Sequence, residues 1–118
     1  MNKIIFFVAG GTGGHLFPAM AVAQSFKKTQ SHFLIDSRTK KFLLGKNIKY
    51  HVISSSKLEK NIFKIILSIL KIFYGFLHSF YLIIKFKPSL IIGFGGYTSI
   101  PSILAAKILN KKILIHEQ

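Results

Sequence analysis

Short apolar runs alternate with helix-like stretches along this chain. Ile4 to Val8 is continuous, β-branched and aromatic, the pattern of a strand buried on both faces. Gly10, Gly11, Gly13 and Gly14 follow, and Pro18 sits where a first helical turn accepts proline, so Ala19 to Phe26 is expected to be helical. His32 to Ile35 predicts a second strand ending at Asp36, Ser37 to Gly45 a polar loop or short helix, and Ile48 to Ile53 a third strand. A long helical stretch runs from about Leu58 to Phe86, with Gly75 as its one expected break. Lys87 and Pro88 end it, because proline disfavours helix at the residue before it. Ser89 to Ile92 predicts a fourth strand, Gly93 to Pro101 a second glycine loop, Ser102 to Leu109 a helix and Lys112 to His116 a fifth strand.

Strands that alternate with helices call for an α/β fold, a Rossmann-like parallel sheet of about five strands with right-handed crossovers. The expected order is 3-2-1-4-5. Both glycine loops then lie at carboxyl ends flanking the switch point, where such sheets bind ligands. A strand, a glycine loop and a helix together point backbone N–H groups at an anion, and a Cβ in the loop would block its approach. Each loop alone is also compatible with a plain strand-to-helix turn; the two together would make a cradle large enough for a diphosphate. Ser99 is placed to cap the helix that carries Pro101 in its first turn.

His15 is the one titratable side chain in the first loop. Its imidazole would either accept a proton from an attacking hydroxyl or hydrogen-bond the loop backbone. Asp36 falls where a ribose-binding acid sits in dinucleotide enzymes, or else caps the strand end. GxGxxG is not satisfied, since Leu16 holds its last position, and no GxxxxGK[ST] occurs. His116 and Glu117 have the placement of structural residues, and His32, His51 and His78 show no ligand spacing, so no metal is expected.

One domain is expected from 118 residues, and half of them are hydrophobic, enough for a core. The absence of cysteine excludes disulfides and thiolate metal sites. The formal charge of +14 points to a membrane surface, nucleic acid or a phosphorylated substrate, or to the Lys, Ile, Phe and Asn bias of A/T-rich coding. Arg38 is the only arginine, which argues against nucleic acid. No signal peptide is read at the N-terminus.

The long helical stretch is apolar over most of its circumference, through Ile62, Phe63, Ile66, Leu67, Leu70, Phe73 and Tyr74. Lys57, Lys60, Lys64, Ser68, Lys71, Gly75 and His78 trace a narrow polar stripe along it. Its longest charge-free run, Ile72 to Ile84, is too short to span a bilayer. A lysine-striped apolar helix suits a membrane interface; the alternative is a crossover helix showing one face to water.

AGGTGGHLFPAMAVA (Ala9 to Ala23), IIGFGGYTSIPSILAA (Ile91 to Ala106) and the terminal IHEQ resemble the MurG family. These N-acetylglucosaminyltransferases complete lipid II, the membrane-linked peptidoglycan precursor. The resemblance covers essentially the whole chain and departs at Ile100, where members often carry Gly. It implies that residues 1–118 are the N-terminal, acceptor-binding half of a GT-B glycosyltransferase whose donor domain follows in the family. Gly10, Gly11, Thr12, Gly13 and Gly14, with Gly93, Gly95, Gly96 and Tyr97, would hold the diphosphate of lipid I. Thr12, Gly13 and Gly14 would also meet the donor, UDP-N-acetylglucosamine, and His15 would be the general base for the acceptor's sugar hydroxyl, giving inversion.

The resemblance further implies attachment of the apolar, basic helix to the cytoplasmic face of the bacterial inner membrane. The implied partners are lipid I, UDP-N-acetylglucosamine with a donor domain from another chain, and an anionic membrane surface, with no nucleic acid, cofactor or metal. The chain alone is expected not to transfer sugar. Two other functions stay open: a non-catalytic membrane module that holds a polyprenyl diphosphate, and the membrane subunit of a two-chain glycosyltransferase. A fifth strand with no covering helix is expected to leave the fold marginal unless a partner or membrane covers it.

Overall fold

The computed structural model describes residues 3–10, 13–26, 29–56, 60–96 and 99–116. Gly11, Thr12 and Tyr97 of the expected binding set lie outside the described residues, as do Lys57 and Glu117. Strands β1 (Lys3–Val8), β2 (Thr29–Ile35), β3 (Lys49–Val52), β4 (Leu90–Gly93) and β5 (Ile113–Ile115) form one sheet. Its order is β3-β2-β1-β4-β5, and every neighbouring pair is parallel. This is the expected topology.

Successive strand residues point to opposite faces, so β1 feeds two separate cores. Ile5 and Phe7 join Phe33, Ile35 and Ile92 on the face covered by helix α1 (Gly13–Ala23). Phe6 and Val8 join Leu34 and Ile91 on the face covered by α2 (Ile62–Phe86) and α3 (Ile100–Ile108). Both phenylalanines are fully buried, which explains why β1 is apolar without alternation.

Helix α1 starts earlier than the proline rule suggests. Gly13 and Gly14 form its first turn, and Pro18 lies inside it rather than at its start. Leu16 and Ala19, three apart on one face, are fully buried in the core. That packing outweighs the hydrogen bond Pro18 cannot donate. Helix α3 likewise begins at Ile100, ahead of the expected Ser102.

Helix α2 is continuous through Gly75, where a break was expected. Its first turn is capped by the Asn61 side chain, which accepts from the Phe63 N–H at 2.9 Å. Lys87, in the left-handed conformation, and Pro88 end it. Gly75 is a contact rather than a hinge: a Cβ there would lie 1.8 Å from the Ser54 carbonyl oxygen. From this point onward the helix is seated, with Leu82 and Ile83 in the core and Ser79 Oγ 2.8 Å from Ser102 Oγ on α3. Before it, only Ser68 is buried; Ile65 and Ile72 are half-buried and the other apolar residues face outward.

Candidate functional site

Because the strands are parallel, the loops after β1, β2, β3 and β4 share one end of the sheet. His15, the third residue of α1, bridges the two glycine loops there. Its ring lies over the backbone of the second loop: a Cβ on Gly95 would fall 3.5 Å from Cε1 and 3.6 Å from Nδ1. On Gly96 it would fall 3.4 Å from both Cδ2 and the Gly10 carbonyl oxygen. Gly95 and Gly96 have φ of 93° and 81°, which L side chains rarely adopt. Glycine is thus favoured by the turn, and a side chain there would stand in van der Waals contact with the imidazole.

His15 Nδ1 is buried and has no hydrogen-bond partner among the described residues. Gly10 and Gly93 stand at the ends of β1 and β4, joined by the Phe94 N–H donating to the Val8 carbonyl at 2.9 Å. Ser99 does not cap α3 as expected; its hydroxyl donates back to the Gly95 carbonyl at 2.7 Å and closes the second loop. His116 braces the same loop, donating its backbone N–H to the Gly93 carbonyl at 2.8 Å, with its ring 5.3 Å from that of Phe94. Among the described residues no three His, Cys, Asp or Glu gather as metal ligands.

The polar stripe of α2 takes an unexpected direction. Ser68 and Gly75 face the body of the protein, and Ser68 Oγ meets Ser56 Oγ at 3.1 Å. The apolar side is what faces outward: Phe63 is 80% and Phe73 57% exposed, with Ile62, Ile66, Leu67, Leu70 and Tyr74 exposed beside them. Lys60, Lys64 and Lys71 are exposed along the flank. At 25 residues α2 is long and apolar enough to cross a membrane by length and composition. Its seated half, however, is bonded and packed into the fold. Between this helix and the ends of β2 and β3 lies a polar cleft that includes Arg38, Ser54, Ser55 and Lys71.

Residues 5–118 match the family model for the glycosyltransferase family 28 N-terminal domain. The chain belongs to this family. It is 39% identical over 123 residues to the UDP-N-acetylglucosamine–N-acetylmuramyl-(pentapeptide) pyrophosphoryl-undecaprenol N-acetylglucosamine transferase of Protochlamydia amoebophila, covering 99% of this chain and 33% of the relative. It is 42% identical over 124 residues to the transferase of the same name from Sinorhizobium fredii, covering 100% and 33%. The crystal structure of Acinetobacter baumannii MurG superposes with a TM-score of 0.82 at 30% identity, over 98% of this chain and 35% of that one. The chain spans about a third of the length of the curated relatives it matches.

In this family-28 domain, Asp36 takes the capping role rather than one on a ribose. It is buried, accepts from the Thr39 N–H at 3.1 Å and from the Thr39 hydroxyl, and pairs with Arg38 Nε at 3.1 Å. Sequence reasoning passed over the cleft beside it, although three consecutive serines directly after a strand were an available signal. It also passed over a histidine pair at the sheet edge, His32 Nδ1 and His51 Nε2, 3.2 Å apart and flanked by Phe86. Burial, reinforced by His32, His78 and Lys85, pushes His51 down to about 4. Burial and Lys49 lower His32. The spacing of 19 residues between them carries no helical or hairpin signal; only the β2–β3 pairing brings them together.

Proposed function

We propose that this chain is the acceptor-binding half of an inverting glycosyltransferase that moves N-acetylglucosamine from UDP-N-acetylglucosamine to the muramyl sugar of lipid I, forming lipid II. The observation that carries this is the buried Nδ1 of His15, without a partner among the described residues, between two glycine loops at the switch point. Gly10, Gly11, Thr12, Gly13 and Gly14 on one side, and Gly93, Gly95, Gly96 and Tyr97 on the other, hold the acceptor's diphosphate through backbone N–H groups. His15 takes the proton of the sugar hydroxyl as that oxygen bonds the donor's anomeric carbon. The bond from that carbon to the diphosphate breaks, UDP leaves, and the configuration inverts. A second, donor-binding domain holds the nucleotide, so the 118 residues alone do not turn over.

The outward face of α2 attaches the domain to the cytoplasmic side of the bacterial inner membrane. Ile62, Phe63, Ile66, Leu67, Leu70, Phe73 and Tyr74 enter the interface, and Lys60, Lys64 and Lys71 lie along its border within reach of anionic headgroups. Support comes from the run of large exposed apolar side chains along one side of the helix, since contiguous exposed apolar patches mark interaction surfaces. The acceptor, itself anchored by a polyprenyl chain, is thereby met at its own surface.

The test is binding by the chain alone of a short-chain prenyl diphosphate against the matching monophosphate. Preference for the diphosphate, lost when Gly95 and Gly96 are both replaced by Ala, is the expected result. Equal binding of the two, unaffected by the glycines, would contradict the assignment.

A further inference from the structure

Besides the glycine loops, the ligand-binding end of the sheet carries a polar cleft of about 610 Å³. It opens where β2 and β3 end, between Asp36 and Arg38, the serines Ser54 to Ser56, and Lys71 with Tyr74 on α2. Asp36 is satisfied internally by Thr39 and by Arg38, and its bond to Nε holds the Arg38 guanidinium in one orientation. Lys71 adds a second cation, so the walls carry one positive charge in excess. The Ser55 hydroxyl in the same wall is buried without a partner among the described residues. An oriented guanidinium, an ammonium and unsatisfied hydroxyl capacity together make a receptor for a carboxylate or phosphate oxygen.

Position decides which anion. Strands lie about 4.8 Å apart, so the end of β3 stands roughly 10 Å from the end of β1, where the glycine loop and His15 begin. The relatives' acceptor is an N-acetylmuramyl-(pentapeptide). Five extended residues reach up to about 17 Å, so a peptide attached to a sugar at His15 spans the gap and brings a carboxylate with it. The cleft borders α2 through Lys71 and Tyr74, exposed side chains that lie between the flank of Ser68 and Gly75 and the outward face of Leu70 and Phe73. Its opposite wall, Asp36, Arg38 and Ser54 to Ser56, stands at the strand ends on the side of the glycine loops, within that reach of a sugar held at His15.

We propose that this cleft receives the peptide arm of the acceptor, with a peptide carboxylate seated between Arg38 and Lys71. The inference rests on the acceptor-binding function proposed above and adds a subsite to it. It makes the cleft a determinant of which peptide is accepted, separate from the glycine loops that hold the diphosphate.

The full chain is titrated calorimetrically with a muramyl pentapeptide that lacks both lipid and diphosphate, and separately with a short-chain prenyl diphosphate. Arg38→Gln and Lys71→Gln each weaken the pentapeptide roughly tenfold, as expected for loss of one charge-assisted contact, and leave the prenyl diphosphate unchanged. Amidating the peptide's carboxylates weakens binding to the unaltered protein by a similar factor, a result that does not depend on any variant folding. Pentapeptide binding indifferent to both substitutions and to amidation would overturn the proposal. Prenyl diphosphate binding with no pentapeptide binding would overturn the subsite and leave the acceptor function standing; loss of both ligands would overturn both. If the two substitutions abolish sedimentation with phosphatidylglycerol vesicles but spare the peptide, the cleft is a headgroup site and the proposal fails.

Discussion

The imidazole of His15 rests against the bare backbone of Gly96, where an added Cβ would meet ring atom Cδ2 at 3.4 Å and Nε2 at 3.5 Å. His15, the proposed base, and the second glycine loop are therefore one mechanical unit. Gly96→Ala acts on both at once. It forces an alanine into a φ of 81°, at a cost of about 1–2 kcal/mol, and sets a methyl directly against the ring. The expected result is a melting temperature several degrees lower and a loss of transfer activity, in the presence of a donor domain, larger than that instability explains.

Gly75→Ala tests how α2 is held. The new methyl would sit 1.8 Å from the Ser54 carbonyl, so helix and loop must part. Overpacking of this kind costs typically 1–3 kcal/mol, and the urea midpoint should fall accordingly. A neutral outcome would mean that the seat of α2 is not at Gly75.

The His32–His51 pair gives the fold an acid limit. In the unfolded chain a histidine titrates near 6.5, whereas His51 in the folded protein is held down to about 4 and His32 is lowered as well. Below pH 6.5 the unfolded chain therefore binds protons that the folded one refuses. The stabilisation is fully present above pH 6.5 and is lost as pH falls toward 4. Melting temperature measured across that window should decline, and His51→Gln should flatten the decline.

Membrane attachment is tested on the outward face. Leu70→Ser with Phe73→Ser removes two exposed apolar side chains, each contributing on the order of 1–2 kcal/mol if buried in an interface. Sedimentation with phosphatidylglycerol vesicles should fall at least about tenfold while the melting temperature holds. Added salt should weaken the attachment of the unaltered chain through its flanking lysines.

Most of this architecture is legible in the residues. Ile4–Val8 and Leu90–Ile92 are too short and too apolar for anything but buried strands, and the strand–helix alternation then leaves few orders to choose from. What escapes is whatever depends on a distant partner. Pro18 sits inside α1 because Leu16 and Ala19 are drawn into the core, and Gly75 continues α2 because Ser54, 21 residues earlier in the chain, occupies the space of a side chain. The polar stripe of α2 is visible in the sequence, but not that its small members face the protein and its apolar side faces out. At the site, glycine spacing locates the two loops, whereas the contact of His15 with Gly95 and Gly96 exists only once β1 and β4 are paired.

The most direct measurement is transfer of N-acetylglucosamine from UDP-N-acetylglucosamine to a short-chain lipid I analogue. The chain is assayed alone and with the donor-binding domain of a family-28 relative, fused or supplied in trans, after each is shown to bind its substrate. The expected result is no transfer by the chain alone, transfer when both domains are present, and loss of that transfer with His15→Ala. Transfer that persists with His15→Ala, or none when both domains hold their substrates, would contradict the assignment of this domain and its base.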